Sequence, residues 1–339
     1  MKPFKTLLAG ALTAVTAGIA FTAPAPAIAA DQLVITMDTP PAHLRTRMIK
    51  EFIARMEKAS GGKMSFKLYD SSQLYASRDA AKAVARGDAG MTVLVTPYLS
   101  RVVSDINVVD LPMLNGMTEQ QRTEMLDGPL GKLLTTKLEK KMGVVVPGNY
   151  WSMGKVMLFS TKKPLTQFSD LKGMKVRIPG GAAVVARLEA VGASTVSMPS
   201  TDLPLALQQG VVDGTMSGAE YVIKAKLTDA GITHGFWDQG IIGFLIPLVN
   251  QKYWKSLSAD QKSLFTKTWN EVSVQQRAAI LSEEAQHWKQ LEAAGVKVTS
   301  ATDADVARAN KSMLAVQDAM IKKLGISDEA VKLAGQARK

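Results

Sequence analysis

The sequence predicts an α/β architecture built as two lobes. Two observations carry that reading. Strand-like and helix-like runs alternate along the first third of the chain, which is the pattern of βαβ units. The same strand, helix, glycine, strand phrase then returns much later: AVARGDAGMTV closes a helix on Gly87, and ALQQGVVDGTMS closes one on Gly210. A chain of 339 residues is long enough for two such units, and it can bury a large core without disulfides, of which its 0 cysteines allow none.

The first thirty residues stand apart. Lys2 and Lys5 precede an apolar run rich in small residues, a TAPAPA segment follows, and Ala27, Ile28 and Ala29 end it in a small-x-small triplet. This is the pattern of a secretory leader cut after Ala30, and the run is shorter than the roughly 20 residues of a membrane span. The expected location is therefore the periplasm. The formal net charge is +11, which favours anionic partners. No basic run of five or aromatic-interleaved basic stripe accompanies it, so nucleic acid is not an expected partner.

After the leader, LVITM (33–37) reads as a strand. Leu44, Met48, Phe52, Ile53 and Met56 recur at helical spacing until Gly61 and Gly62 stop the run. MSFKLY (64–69) is the next strand; the loop SSQLYASRD leads to the helix DAAKAVARG and the strand AGMTVLV. GVVVPGNYWSMGKVMLFSTKKPL (143–165) holds two strand-like runs, and GIIGFLIPLVN (240–250) carries the chain back. From 260 to 294, Leu264, Trp269, Val272, Ile280, Trp288 and Leu291 form a helical core stripe, and the tail from Asp303 reads as one or two more helices.

No catalytic constellation emerges. His43, His234 and His287 lack near partners in sequence and read as exposed or loop residues; with no cysteine, neither a metal site nor a cofactor is expected. SMGK (152–155) and STKK (160–163) match the Ser-x-x-Lys pattern of acyl-enzymes, but both fall on strands, whereas that chemistry wants the serine opening a helix. Phosphate-loop, dinucleotide and nucleophile-elbow motifs are absent.

One arginine stands out. In KVRIPGG, Val176 and Ile178 alternate with Lys175 and Arg177, so Arg177 sits one residue from a strand's carboxyl end. Ligands of α/β sheets bind at that end, beside a following helix N-terminus. A guanidinium there can grip a carboxylate through two parallel hydrogen bonds, which lysine cannot reproduce. An ordinary solvated surface arginine is the equal alternative on residue type alone.

The run DLKGMKVRIPGGAAVVARLEAVGASTVSMPSTDLPLALQQGVVDG resembles the solute receptors of tripartite ATP-independent periplasmic (TRAP) transporters, as do SSQL with its following Arg78-Asp79 and the DLP of Asp110–Pro112. The resemblance runs from about Leu33 to Leu291. It implies a periplasmic-binding-protein fold whose lobes each hold a mixed sheet flanked by helices, joined by strands and crossed by one long helix, for which the 260–294 run is the match. With that fold, 31–154 and 243–282 form lobe I, and 155–242 with 283–339 form lobe II and the C-terminal helices. The implied function is capture of an organic acid by hinge closure, with Arg177 as the carboxylate clamp.

Departures from the family pattern shape the expected ligand. Val156 and Met157 stand where many relatives carry a second basic residue, leaving Lys155 nearby. Met216, Ser217 and Gly218 replace Glu-Asn-Pro, and Asp202 and Pro204 replace a Glu and a Tyr. The expected ligand is accordingly a less polar monocarboxylate, lying against Met157, Met216 and Trp151 or Trp237, with a dicarboxylate paired by Arg177 and Lys155 as the alternative. Ser200, in the turn after the Met-Pro pair, and Ser217 complete this wall. Thr96, Pro97 and Tyr98, ending the MTVLV strand, form the facing wall, with Gln73 and the Thr39–His43 loop as weaker candidates. The expected partners are a small carboxylate and membrane-embedded TRAP transporter subunits, and the chain is expected to act as a monomer and not as an enzyme. A receptor feeding a sensor protein, or a secreted hydrolase, are the competing functions.

Overall fold

The computed structural model describes residues 32–338; the expected leader, residues 1–30, lies outside them. Ten strands form one sheet: β1 (Leu33–Thr36), β2 (Phe66–Tyr69), β3 (Met91–Val95), β4 (Val144–Val145), β5 (Trp151–Ser160), β6 (Lys175–Ile178), β7 (Ser194–Ser197), β8 (Gly214–Gly218), β9 (His234–Asn250) and β10 (Lys297–Ser300). Their order is β2-β1-β3-β9-β5-β8-β6-β7, with β4 and β10 attached to β9. At one end β2, β1 and β3 are parallel, and the last residues of β9 run antiparallel beside β3, Met91 facing Val249. At the other end β7, β6 and β8 are parallel, and β5 runs antiparallel beside β8. Each end is a pair of strand–helix–strand crossovers, the repetition that the two glycine-closed phrases predict.

The two ends are joined by β5 and the 17-residue β9, which pair along their length from Trp151 with Leu245 to Ser160 with His234. The register slips twice, between Ser152 and Gly154 and between Val156 and Leu158. Such bulges bend and twist a ribbon. Gly154 sits in the first with φ of +71°, and a Cβ there would lie 2.9 Å from Ile280, so both backbone and space require glycine.

A 35-residue helix, Ala259–Ala293, opens with a capping box between Ser258 and Gln261. At 1.5 Å per residue it is about 50 Å long, enough to run past both lobes. Its Trp269 stacks on Trp151 at 4.5 Å and meets Phe52 of the helix Leu44–Ala59 edge-on at 5.4 Å. Further along it packs on the helix Ala219–Lys224 of the second lobe. Among the described residues no helix is long and apolar enough to cross a membrane.

The C-terminal tail divides between the lobes instead of staying with lobe II. Ala309 and Met313 join the second lobe's core around Phe168 and Val176. Met320, Ile326, Ala330 and Ala334 pack with Leu111, Leu130 and Leu134 of the first lobe, and Asp105 accepts from the backbone N–H of Ser327 at 2.7 Å. The physical reason is the apolar stripe on Gln317–Leu324 and Asp328–Gln336, which finds its cover on lobe I.

Candidate functional site

Arg177 is the third residue of β6, and its side chain is buried, with 4% of the residue exposed. Its Nε and Nη2 both donate to the carbonyl of Met198, at 3.1 and 2.8 Å. Strand β7 runs parallel beside β6 and brings that carbonyl into place. One side of the guanidinium fork is thereby fixed. The end-on edge, Nη1 with the second Nη2 proton, is left for a ligand in the cavity of about 110 Å³ that Arg177 lines between the lobes. Among the described residues no carboxylate pairs with Arg177.

The cavity draws on four parts of the fold. Lobe I supplies Asp38, His43 and Arg45 after β1, and Thr96, Pro97 and Tyr98 after β3. Lobe II supplies Arg177, Ser200, Met216, Ser217, Glu220 and Tyr221. The joining strands supply Ser152 to Val156 with Ile241 and Phe244. The long helix adds Ile280, Glu284, His287 and Trp288. Much of this surface is aliphatic or aromatic.

Six of the eight expected residues, Arg177, Tyr98, Thr96, Ser200, Met216 and Ser217, therefore lie on one cavity. Two do not. Met157 follows Val156 on β5; alternation turns Val156 to the cavity and Met157 to the opposite face, where it is fully buried with Phe159 and Leu203. Trp151 is stacked on Trp269, and its Nε1 donates to Ser273 at 2.9 Å. It belongs to the core beneath the joining strands. Trp237, Gln73 and Thr39 likewise lie outside the lining; Thr39 is bonded to Thr46 at 2.7 Å.

Lys155 reaches the cavity but is already engaged. Its Nζ lies 3.0 Å from Glu284 and above the rings of Trp237 and Trp288, at 4.2 and 5.2 Å. Arg45 is also paired, with Asp38 at 3.1 Å. Burial raises the pKa of both Tyr98 and Tyr221, so they remain neutral donors. Asp110, fully enclosed at the cavity's edge, is pushed up to about 6 by burial, against the pull of Arg187 and Arg122.

The lobes touch across the cleft. Leu44 donates its backbone N–H to Glu220, and His43 Nδ1 lies 3.3 Å from the same carboxylate. Ala183, in the first turn after the Pro-Gly-Gly, donates to Asn107 of lobe I at 3.2 Å, so that helix N-terminus is already partly capped. Arg78 donates to the carbonyl of Ser197 at 3.1 Å.

His287 corrects the reading of the histidines as exposed or loop residues, for it lies within the helix Ala259–Ala293 and is buried, at 8% exposure. His43 is in the loop before the helix Leu44–Ala59, as expected, but is buried too, at 5% exposure. Burial is the largest cause holding each pKa low. His43 Nδ1 accepts from the N–H of Arg45 and so caps the helix Leu44–Ala59. Arg45, Glu220, Tyr221, Glu284 and Trp288 line the cavity without having been marked by any motif.

A model of the family described as bacterial extracellular solute-binding protein, family 7, matches residues 35–324. The chain belongs to that family. Family 7 proteins similar to it include the C4-dicarboxylate-binding periplasmic protein DctP of Rhodobacter capsulatus, 29% identical over 75% of each chain. A TRAP periplasmic solute-binding protein from Sulfurospirillum deleyianum, solved with succinate, is 27% identical with a TM-score of 0.82, covering 91% of this chain and 99% of that one. Another from Ralstonia eutropha, solved with (S)-2-acetolactate, is 25% identical with a TM-score of 0.82, covering 90 and 98%. As a family 7 receptor the chain is a binding protein and not an enzyme, and its two α/β lobes are those of the TRAP receptors.

Proposed function

We propose that this family 7 receptor captures a small organic acid with one carboxylate and a less polar body, in the periplasm, and delivers it to membrane-embedded TRAP subunits. The carrying observation is the charge pairing at the cavity. Lys155 has Glu284 and Arg45 has Asp38, so Arg177 is the lining Lys or Arg without a carboxylate. One uncompensated buried guanidinium calls for one anionic group, and its end-on edge suits a carboxylate gripped by two hydrogen bonds. Val95, Met153, Val156, Ile241 and Phe244 would then meet the rest of the ligand. The solved relatives took succinate and (S)-2-acetolactate, so both a dicarboxylate and a monocarboxylate are within the range of the fold.

Thermal unfolding of the chain without its first thirty residues, against a panel of aliphatic, aromatic, hydroxy, oxo, dicarboxylic and sugar acids, tests this. A ligand at a hundred times its dissociation constant adds about 2.7 kcal/mol, enough to raise the melting temperature by several degrees. The expected result is a monocarboxylate hit abolished by Arg177→Ala and weakened at least tenfold by Arg177→Lys, which keeps charge and loses the fork. A dicarboxylate or sugar acid binding more tightly than every apolar monocarboxylate overturns the proposed ligand class.

A further inference from the structure

We propose that Arg45, braced by Asp38, is a second ligand subsite that takes an uncharged oxygen, carbonyl or hydroxyl, placed near the carboxylate held by Arg177. This rests on the monocarboxylate reading above.

Arg45 is the second residue of the helix Leu44–Ala59, yet its side chain is turned inward, with 6% of the residue exposed. It lines the same cavity as Arg177. Its Nη1 lies 3.1 Å from Asp38 Oδ1, and the other Asp38 oxygen accepts from Ser77 Oγ at 2.6 Å. The pair is thus positioned from behind by β1 and by the helix Ser77–Arg86. Even so, Nε and Nη1 of Arg45 are buried with no hydrogen-bond acceptor, the Asp38 contact being an ion pair of poor hydrogen-bond geometry. A buried donor left without an acceptor is unfavourable. Water or a ligand oxygen in the cavity would recover part of that cost.

The charge of the pair decides what kind of oxygen fits. Asp38 already balances Arg45, so a second carboxylate would be buried without a counter-charge of its own, which is unfavourable. A neutral acceptor carries no such penalty. A carbonyl oxygen accepts from the guanidinium without needing anything from Asp38. A hydroxyl can accept equally and can give its own proton to Asp38 Oδ1, which is buried without a hydrogen-bond donor. Hence a carbonyl or a hydroxyl fits better than no oxygen.

The position follows from the size of the shared cavity. Tyr98, Tyr221, Arg177, Arg45 and Asp38 all line one cavity of about 110 Å³, so a single small acid can meet both guanidinium groups. The oxygen they read is on a carbon close to the acid group, and the apolar body extends away toward Ile241 and Phe244.

Isothermal titration calorimetry of the chain without its first thirty residues provides the test, on two skeletons. The branched set is 4-methyl-2-oxopentanoate, 2-hydroxy-4-methylpentanoate and 4-methylpentanoate; the aromatic set is phenylpyruvate, 3-phenyllactate and 3-phenylpropanoate. The expected result, in whichever skeleton binds, is that the oxo and hydroxy acids each bind at least tenfold tighter than the unsubstituted acid. Arg45→Met should close that gap, bringing all three members of the set to similar affinity. Because Arg45→Met strands Asp38, the double variant Arg45→Gln with Asp38→Asn serves as the folded check, and it should close the gap too. Equal affinities within a set, or a gap that survives both variants, overturns the subsite while leaving the monocarboxylate reading intact. Binding of neither skeleton, with dicarboxylates bound instead, overturns that reading and the subsite with it.

Discussion

Glu220 of the second lobe accepts a hydrogen bond at 2.6 Å from the backbone N–H of Leu44, the first residue of a 16-residue helix in the first lobe. A carboxylate of one lobe thus caps a helix of the other, where unsatisfied N–H groups and the helix dipole favour negative charge. The contact exists only while the lobes are together. Closure and capping are one event.

Glu220→Ala should therefore weaken binding of the receptor's acid by about 1 kcal/mol, near fivefold, through loss of a cap of ordinary strength. Titration calorimetry would read it. Glu220→Gln, which keeps an acceptor and loses the charge, should recover part of the loss. An unchanged affinity in Glu220→Ala would mean that the latch adds nothing to closure.

Gly181 has φ of +91°, and a Cβ there would lie 3.1 Å from Pro97 Cβ in the facing lobe. Gly181→Ala should cost about 1–2 kcal/mol in backbone strain and should also hold the lobes apart. Both a lower melting temperature and a smaller ligand-induced rise in it are expected. A variant that loses stability but keeps the full ligand response would show that the approach to Pro97 is not limiting.

Asp110 makes a pH prediction. Its pKa is raised on folding to about 6 by burial, so the folded chain holds a proton there that the unfolded chain gives up at lower pH. Its contribution to stability is present below the unfolded pKa and is lost as pH rises through about 6. Every tenfold difference in proton affinity between the two states is worth about 1.4 kcal/mol. Wild type should thus lose about 2 kcal/mol relative to Asp110→Asn between about pH 4 and pH 7. Parallel urea-denaturation curves for the two proteins across that range would contradict it.

Trp151→Phe should lower unfolding stability by about 1–3 kcal/mol, because it breaks the stack on Trp269 and leaves Ser273 Oγ without its donor. The ligand-induced rise in melting temperature should remain. Its loss would return Trp151 to the binding surface.

Period-2 and period-3.6 patterns made most of the elements legible, from β1 to the Ala259–Ala293 helix, because one buried face repeats in the residue types. Arg177 was legible for a different reason: a strand end before Pro-Gly-Gly constrains where a side chain can point. Met157 was misplaced because both faces of the run Val156 to Phe159 are apolar, Val156 and Leu158 on one side and Met157 and Phe159 on the other, so residue type alone does not say which face meets the cavity. Lys155 illustrates a further limit. Its charge is cancelled by Glu284, far along the chain, and no local pattern encodes that pairing. His43 likewise meets Glu220, far along the chain, at 3.3 Å.

Strand β9 lies between β3 and β5, in the middle of the sheet. Neither half of that sheet can be completed until residues 234–250 are available, so the early strands wait with an open edge for a partner synthesised far downstream. Pairings of such long sequence separation slow folding, since the intervening chain must be ordered before they form.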